Sequence, residues 1–541
     1  MEPGPILDPH SKGGVLDRLQ YLFATMGILI FFTLGWRGRL PVMIVGGDEL
    51  TYVSISRSLE AGTYREVYSA SAPRHVKYPP GYPAWLLAVR KVGGESHDLV
   101  RALNLAFVAV TILGTWLIVR KVAGPGPALA AGFVLVFNPS LLGVGATLLS
   151  EAPYLGLTGA ALAVSALGSP SSWKSAIVAV LLAMAAFLTR AAGLTVVLAI
   201  GLWLVQRRRR RELLAYGVAC LVVVGGWFAY TQFVPGPEAG QSYGTDLARS
   251  VHTGRPDAPS RVELTYQNTL WYATSGLPSA LALPTLPGTR VDNALWLAAL
   301  VVLVGAGIMK LGRASPAVAW YLLLSGALLV AWPWRQDRLL LPIVPFVVAA
   351  MLIGADYLAQ SLPSRTRAVI LGTLTVLMGV GAIRGARDRD AAAATCDRSR
   401  PYESPGCYDD LSRSLAAAAH YLRSTASAKA IVLTGSDAAV NFLSGLSTEP
   451  PSIVRDFSPG EAGQRLRERE IRYILIVGRR RVEKGWFGQI LLASCHDLRL
   501  EARFPPAGFV LTTEPPLSPS EDACGPLAQL VKSPGESQEP Q

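Results

Sequence analysis

Leu19-Gln20-Tyr21-Leu22-Phe23-Ala24-Thr25-Met26-Gly27-Ile28-Leu29-Ile30-Phe31-Phe32-Thr33-Leu34-Gly35-Trp36 lies between Arg18 and Arg37. At about 18 residues the run is long enough to span the hydrocarbon core of a bilayer. No small-residue cleavage site follows it, so it reads as a retained membrane helix and not as a signal peptide. About a dozen residues further on comes Gly46-Gly47-Asp48-Glu49-Leu50-Thr51-Tyr52, which opens an amphipathic pattern from Leu50 to Leu59. A spanning helix followed by two adjacent carboxylates indicates both the fold class and the place to look for chemistry.

The rest of the chain agrees with this start. Of its 541 residues, 51% are hydrophobic and 16% charged, whereas soluble domains carry about 25% charged residues. Mean hydropathy is +0.34. So much apolar surface excludes disorder over most of the length and makes the chain an integral membrane protein. The net charge of +12 does not argue for a nucleic-acid partner, because Lys and Arg collect at helix ends facing acidic headgroups in membrane proteins. Further apolar runs cover 102–119, 127–147, 151–168, 175–189, 191–205, 213–234, 293–309, 315–333, 339–359 and 367–383. The expectation is a polytopic α-helical membrane protein of about 11 transmembrane helices. Residues 1–384 form its transmembrane part, with polar loops 37–101 and 235–290 too long to be turns. A soluble α/β domain over 385–525 and a disordered tail over 526–541 complete the expected organisation.

With the N-terminus in the cytoplasm, alternation places Arg120-Lys121, Lys174, the run Arg207 to Arg211, Lys310 with Arg313, and Arg365 with Arg367 inside, as the positive-inside rule requires. The same alternation puts both long loops and everything after Arg384 outside. Cysteine usage points the same way: Cys220 falls in a span, while Cys396, Cys407, Cys495 and Cys524 all fall in the tail. Four cysteines in an oxidising compartment suggest two disulfides. Three pairings are open, with proximity favouring Cys396 with Cys407 and Cys495 with Cys524. The CxxC-type spacing of a zinc site is absent. The tail pattern predicts helices at 409–423, 437–444 and 459–469 and strands at 430–434 and 473–477, a small α/β arrangement. Thr434-Gly435-Ser436-Asp437 lacks the spacing of a phosphate loop and reads as a capped turn.

The chemistry lies in the outer loops. Asp48 can accept a proton from an incoming hydroxyl, and Glu49 can orient it or share a divalent cation with it. Local sequence equally allows Asp48 to cap the following helix, with Glu49 favoured in its first turn. Arg74-His75-Val76-Lys77-Tyr78-Pro79-Pro80-Gly81-Tyr82-Pro83 is a proline-stiffened loop carrying a cation and aromatic rings, suited to holding a phosphate against a sugar or simply to turning between two interfacial helices. Ser150-Glu151, Thr189-Arg190 and Arg335-Gln336-Asp337-Arg338 also sit on the outer side. Arginines there run against the topology bias, and a guanidinium fork suits the phosphate of a lipid carrier; snorkelling toward headgroups is the other reading.

Taken together, Gly47-Asp48-Glu49, Tyr78 to Pro83, Ser150-Glu151, Thr189-Arg190 and Arg338 to Pro345 resemble the GT-C glycosyltransferases, in particular bacterial relatives of dolichyl-phosphate-mannose protein mannosyltransferase and of lipid A aminoarabinose transferase. The resemblance covers nearly the whole chain. It implies a bacterial inner-membrane enzyme that moves a sugar, with inversion, from a polyprenyl-phosphate donor to an extracytoplasmic lipid, glycan or protein acceptor. It implies Asp48 as general base, with Glu49 beside it; Lys77, Arg190 and Arg338 as donor-phosphate ligands; and Tyr52, Tyr78, Tyr82 and Glu151 as substrate contacts. A divalent cation at Asp48 and Glu49 stays open. A transporter or lipid-linked sugar flippase is the competing class, but such proteins place ionisable groups near the bilayer midplane, and here the acids lie at outer helix ends. A sensor whose tail binds a ligand would leave the Asp48 and Lys77 loops unexplained. The topology is directly testable: reporter fusions after residue 390 and within 207–211 are expected to report opposite compartments, and finding both on one side would overturn it.

Overall fold

In the computed structural model the described residues are 14–40, 43, 48–169, 172–233, 243, 260–283, 290–333, 335–455, 458, 460–478, 483, 485–506, 508–514 and 522–532. Gly46 and Gly47 of the acidic motif therefore lie outside them. The chain is mostly helical, with one small sheet near its C-terminal end. Helices in the first part are α1 Gly14–Arg37, α2 Asp48–Glu60, α3 Gly81–Gly93, α4 His97–Ala123, α5 Pro125–Val136, α6 Pro139–Gly145, α7 Glu151–Leu167, α8 Trp173–Thr189 and α9 Leu194–Gln206.

Each expected apolar run is occupied by helix, but among the described residues five helices are by themselves long and apolar enough to cross a membrane, and a sixth is if the bent pair α5–α6 counts as one span. Leu22, Phe23 and Leu29 of α1, and Leu214, Leu221 and Val222 of the helical stretch after Arg210, are exposed, as expected of side chains facing lipid. The run 127–147 is not one straight helix. Proline lacks an N–H and clashes with the preceding turn, so the axis bends by 58° at Pro139. Asn138 stabilises the break: its side chain accepts from Leu141 N at 3.0 Å and donates to Ala280 O at 2.9 Å. The run 339–359 begins as helix only at Val344, because Pro342 and Pro345 delay it.

Packing among the helices is close where side chains vanish. In Val344–Leu358 and Arg290–Ala314, a Cβ added at Gly354 would meet Leu303 O at 1.9 Å and one at Gly307 would meet Ala350 O at 2.0 Å. The two backbones touch there, as small residues permit between membrane helices. The stretch 235–290 is not wholly loop: Arg261–Trp271 and Leu277–Ala280 are helical, joined by a π-turn. Buried Asn268 fastens this piece to the end of Pro316–Ala331 by donating to Val330 O and Trp332 O.

The boundary expected at residue 384 falls inside the helix Ser364–Ala394. Hydropathy drops after Arg384, but Ala and Arg keep helix propensity high, so the helix continues past the apolar stretch. Beyond it lies a five-stranded sheet of order β2-β1-β3-β5-β4, with β1 Ile431–Thr434, β2 Ser447–Glu449, β3 Ile471–Ile476, β4 Arg499–Phe504 and β5 Gly508–Thr512. β1 pairs parallel with β2 and β3, whereas β5 pairs antiparallel with β3 and β4. Helices Asp410–Thr425, Asp437–Ser444, Ala462–Glu468 and Trp486–Ala493 accompany it. Disulfides join Cys396 to Cys407 and Cys495 to Cys524. Residues 526–532 are helical and not disordered, forming most of the helix Cys524–Lys532. Cys524 tethers that helix and Leu527 and Leu530 bury its apolar face; residues 533–541 lie outside the described residues.

The sheet is joined to the helical part through a shared core, in which Leu50, Ile55 and Tyr82 pack in one cluster with Leu415, Val440 and Val510. The loop between α2 and α3 also adds to the sheet edge: Thr448 N donates to Tyr68 O and Ala70 N to Thr448 O, both at 2.9 Å. Glu449 Oε1 then accepts from Ser71 N at 2.8 Å and Ser69 Oγ at 3.2 Å. Glu449→Ala would leave these donors without their charged acceptor, and hydrogen bonds to charged groups are worth about 1.5–3 kcal/mol. We expect a lowered unfolding midpoint in detergent and faster proteolysis between α2 and α3; an unchanged midpoint and cleavage rate would show that the edge contact does not hold the two parts together.

Candidate functional site at the outer helix ends

Four segments bring charge together. α2 starts at Asp48, which leaves the Asp48 carboxylate at the helix N-terminus. α8 stops at Thr189, and Arg190 is extended before the short 3₁₀ turn Ala191–Gly193. α7 begins at Glu151, and Arg338 lies in the 3₁₀ turn Asp337–Leu339 that precedes Pro342. Pro79 and Pro80 end the preceding loop just before α3. A Cβ at Gly81 would meet Leu188 C and O at 2.7 Å, so glycine lets α3 start against the end of α8, next to Arg190.

Arg338 Nη1 lies 2.7 Å from Asp48 Oδ2, and Arg338 Nε donates to Gln336 Oε1 at 2.9 Å. Arg190 Nη1 is 2.9 Å from Glu151 Oε1 and donates to Ser150 Oγ at 3.1 Å. Ser150 Oγ shares a 2.8 Å hydrogen bond with Tyr52 OH. The Glu151 contact is an ion pair by distance, yet neither Glu151 oxygen receives a hydrogen bond among the described residues; the angle and not the separation is unfavourable. Burial pushes the Asp48 carboxyl up, but Arg338 and Arg190, with hydrogen bonds from Arg338 and Tyr78, outweigh it and hold Asp48 below the usual carboxylate range. Burial lowers both arginines, but Asp48 acting on Arg338 and Glu151 acting on Arg190 raise them above their ordinary value. Asp48 therefore stays ionised beside two guanidinium groups.

The other expected residues fall around this cluster. Tyr78 packs 4.7 Å from the Tyr52 ring and 6.1 Å from Tyr243, and Lys77 Nζ stands 5.5 Å over the Tyr243 ring. Tyr52 and Tyr82 are fully buried, in edge contact at 4.8 Å, with Tyr82 stacked on Trp85. Their place is to support the cluster from within. His75 fixes the loop: its Nε2 accepts from Tyr78 N at 2.9 Å, which leaves Nδ1 to carry the proton toward Glu66 Oε1, also at 2.9 Å. Tyr243, which also packs against Trp332 at 5.7 Å, carries no sequence signal, being a single aromatic in a polar stretch.

Glu49 meets the backbone just before α7. It is buried, and its Oε1 accepts from Leu148 N at 2.7 Å. A divalent cation would be held by Asp48 and Glu49; in the structure Asp48 faces Arg338 and Glu151 faces Arg190, and no step below is routed through a metal. In the tail, Cys495, His496 and Cys524 lie together, but their two sulfurs are bonded to each other and are not thiolate ligands in this state.

The chain has the fold of the GT-C glycosyltransferases. It is similar to ArnT from Cupriavidus metallidurans in the apo state, with a TM-score of 0.57 and 13% identity over 92% of this chain and 98% of that one. ArnT bound to undecaprenyl phosphate gives 0.54 and 14% over the same shares. The apo oligosaccharyltransferase of Archaeoglobus fulgidus gives 0.54 and 11% over 90% of this chain and 74% of that one, and another structure of that enzyme holds Zn and sulfate. At these identities the likeness is one of fold. No protein-family model and no curated protein matches the sequence.

The buried pair gives a stability test. Glu151 is 0% and Arg190 9% exposed at the side chain, and removing one member of such a pair costs about 3–5 kcal/mol because the other charge is left uncompensated. Glu151→Gln should lower the unfolding midpoint strongly, and adding Arg190→Gln should restore part of the loss. Equal midpoints for wild type and Glu151→Gln would show that the pair is not a buried ion pair.

Proposed function

We propose that this integral membrane protein is a glycosyltransferase that moves a sugar from a polyprenyl-phosphate donor to an acceptor hydroxyl outside the cytoplasm, with inversion at the anomeric carbon. The observation that carries this reading is the meeting of Asp48, Arg338, Arg190 and Glu151 at the outer ends of helices in a GT-C fold. An enzyme of this kind needs one base and a cationic clamp. Phosphate leaves without a general acid, so no second proton donor is required.

In this mechanism Arg338, Arg190 and Lys77 take the growing charge of the leaving phosphate. Asp48 accepts the proton of the attacking hydroxyl as the new bond forms on the face opposite the phosphate. Tyr78, which helps to hold Asp48 ionised, orients the carboxylate. An undecaprenyl phosphate occupies one of the ArnT structures to which this chain is similar, and a lipid of that class suits the clamp here. The organisation proposed with it is a membrane part of about 11 spans, with the sheet-bearing tail on the outer face of a bacterial inner membrane. Two disulfides in that tail support an oxidising compartment.

Asn caps helices about as well as Asp but cannot act as a base. Asp48→Asn is therefore expected to express and fold normally while sugar transfer falls by roughly two to four powers of ten. Neutralising Lys77, Arg190 or Arg338 should weaken donor use by about 1.5–3 kcal/mol each, while substitution within Arg207 to Arg211 should not. Transfer to total glycolipid or surface glycan, followed by mass spectrometry in cells carrying each variant, checks both. Near-normal transfer by Asp48→Asn would move the base elsewhere.

A further inference from the structure

We propose that Asp48 and the phosphate of the lipid donor compete for Arg338, so that the donor's arrival releases the Asp48 carboxylate and must precede removal of the acceptor's proton. This rests on the reading of Asp48 as base and of the arginines as phosphate clamp, and adds to it an order of events and a division of labour between the two arginines.

In the donor-free arrangement the base is not free. Arg338 Nη1 sits 2.7 Å from Asp48 Oδ2. A carboxylate held by a guanidinium is a poor proton acceptor, because an incoming proton must displace it. The two arginines differ in how firmly they are held. Arg190 is 9% exposed and faces a wholly buried Glu151, with a further hydrogen bond to Ser150. Arg338 is 35% exposed, and its carboxylate partner Asp48 is 24% exposed. Separating Arg190 from Glu151 would strand a buried charge, whereas Arg338 and Asp48 can each find water or another ion. Arg338 is therefore the arginine that changes partner, and Arg190 the fixed member of the clamp.

A phosphate is the right competitor. As a diester in the donor it offers a guanidinium two oxygens sharing one negative charge, which pair with the fork as a carboxylate does. Once Arg338 turns to it, the Asp48 oxygen that faced Nη1 is open at the edge of the same cluster, where the acceptor hydroxyl must come. An acceptor arriving first meets a base already occupied. The arrangement thus couples activation of the base to the presence of a leaving group.

Competition has a signature that does not depend on turnover. An ion pair that must open before the ligand binds lowers apparent affinity by the fraction of time the site is competent. Removing the carboxylate charge should then tighten binding. We would measure binding of undecaprenyl phosphate, with undecaprenol as the phosphate-free control, to the purified full-length protein in nanodiscs. Asp48→Asn is expected to bind undecaprenyl phosphate about tenfold more tightly than wild type while binding undecaprenol equally. Arg338→Gln should bind it more weakly, and Asp48→Asn should give no tightening in the Arg338→Gln background. Unchanged or weaker binding by Asp48→Asn would overturn the competition, and if that variant still loses transfer, the base assignment survives alone. Absence of any phosphate-dependent binding in wild type would instead remove the donor reading and the competition together.

Discussion

Taking guanidinium groups and carboxylates out of bulk water is costly unless each has its counterpart, and this requirement governs the arrangement of the helix ends that carry the site. Glu151 is entirely buried at the start of α7, and among the described residues Arg190 alone stands within ion-pair distance of it. Arg190 in turn requires that α8 end where it does, with an extended residue before the next turn. α3 must begin against Leu188, which a side chain at position 81 would prevent. Tyr52 closes the circle by binding Ser150, so that the first turns of α2 are tied to α7 as well. The site is thus held by elements from well separated parts of the chain, and its geometry is a property of the helix ends as a set.

Much of this was legible in the sequence, for a physical reason in each case. Long apolar runs are read reliably because lipid leaves few other options for twenty such residues, and every expected run is helical. Arg190 and Arg338 stood out because they oppose the charge bias of outer loops. What was hidden depended on distance or direction. Arg338 and Asp48 are 290 positions apart in the chain, and nothing local pairs them. Asp48 and Glu49 look alike in sequence, but neighbours on a helix point about 100° apart, so one meets arginines and the other the Leu148 amide. The break at Pro139 was visible as a proline within a run whose hydropathy argued for continuity.

The sheet shows the same limits at smaller scale. β1 and β3 carry short runs of branched apolar residues and were expected. β4 alternates Arg499, Glu501 and Arg503 with Leu500, Ala502 and Phe504, the pattern of an edge strand with one wet face, and is easily taken for loop. β2 has three residues, too few for any periodicity. Its neighbour on the outer side is no strand of the tail but the loop after α2, which covers an edge that would otherwise be open to pairing with another chain.

That covered edge has a consequence for how the protein is made. Tyr68 and Thr448 are 380 positions apart, so the loop is made long before its partner has been synthesised. At about 5–20 residues per second, the gap amounts to tens of seconds at least, during which most of the remaining helices must insert. Throughout that interval the segment that will cap β2 is without its partner, and the shared core of Leu50, Ile55 and Tyr82 lacks its other half. Folding therefore has a late closing step, in which the tail must find a loop made long before it.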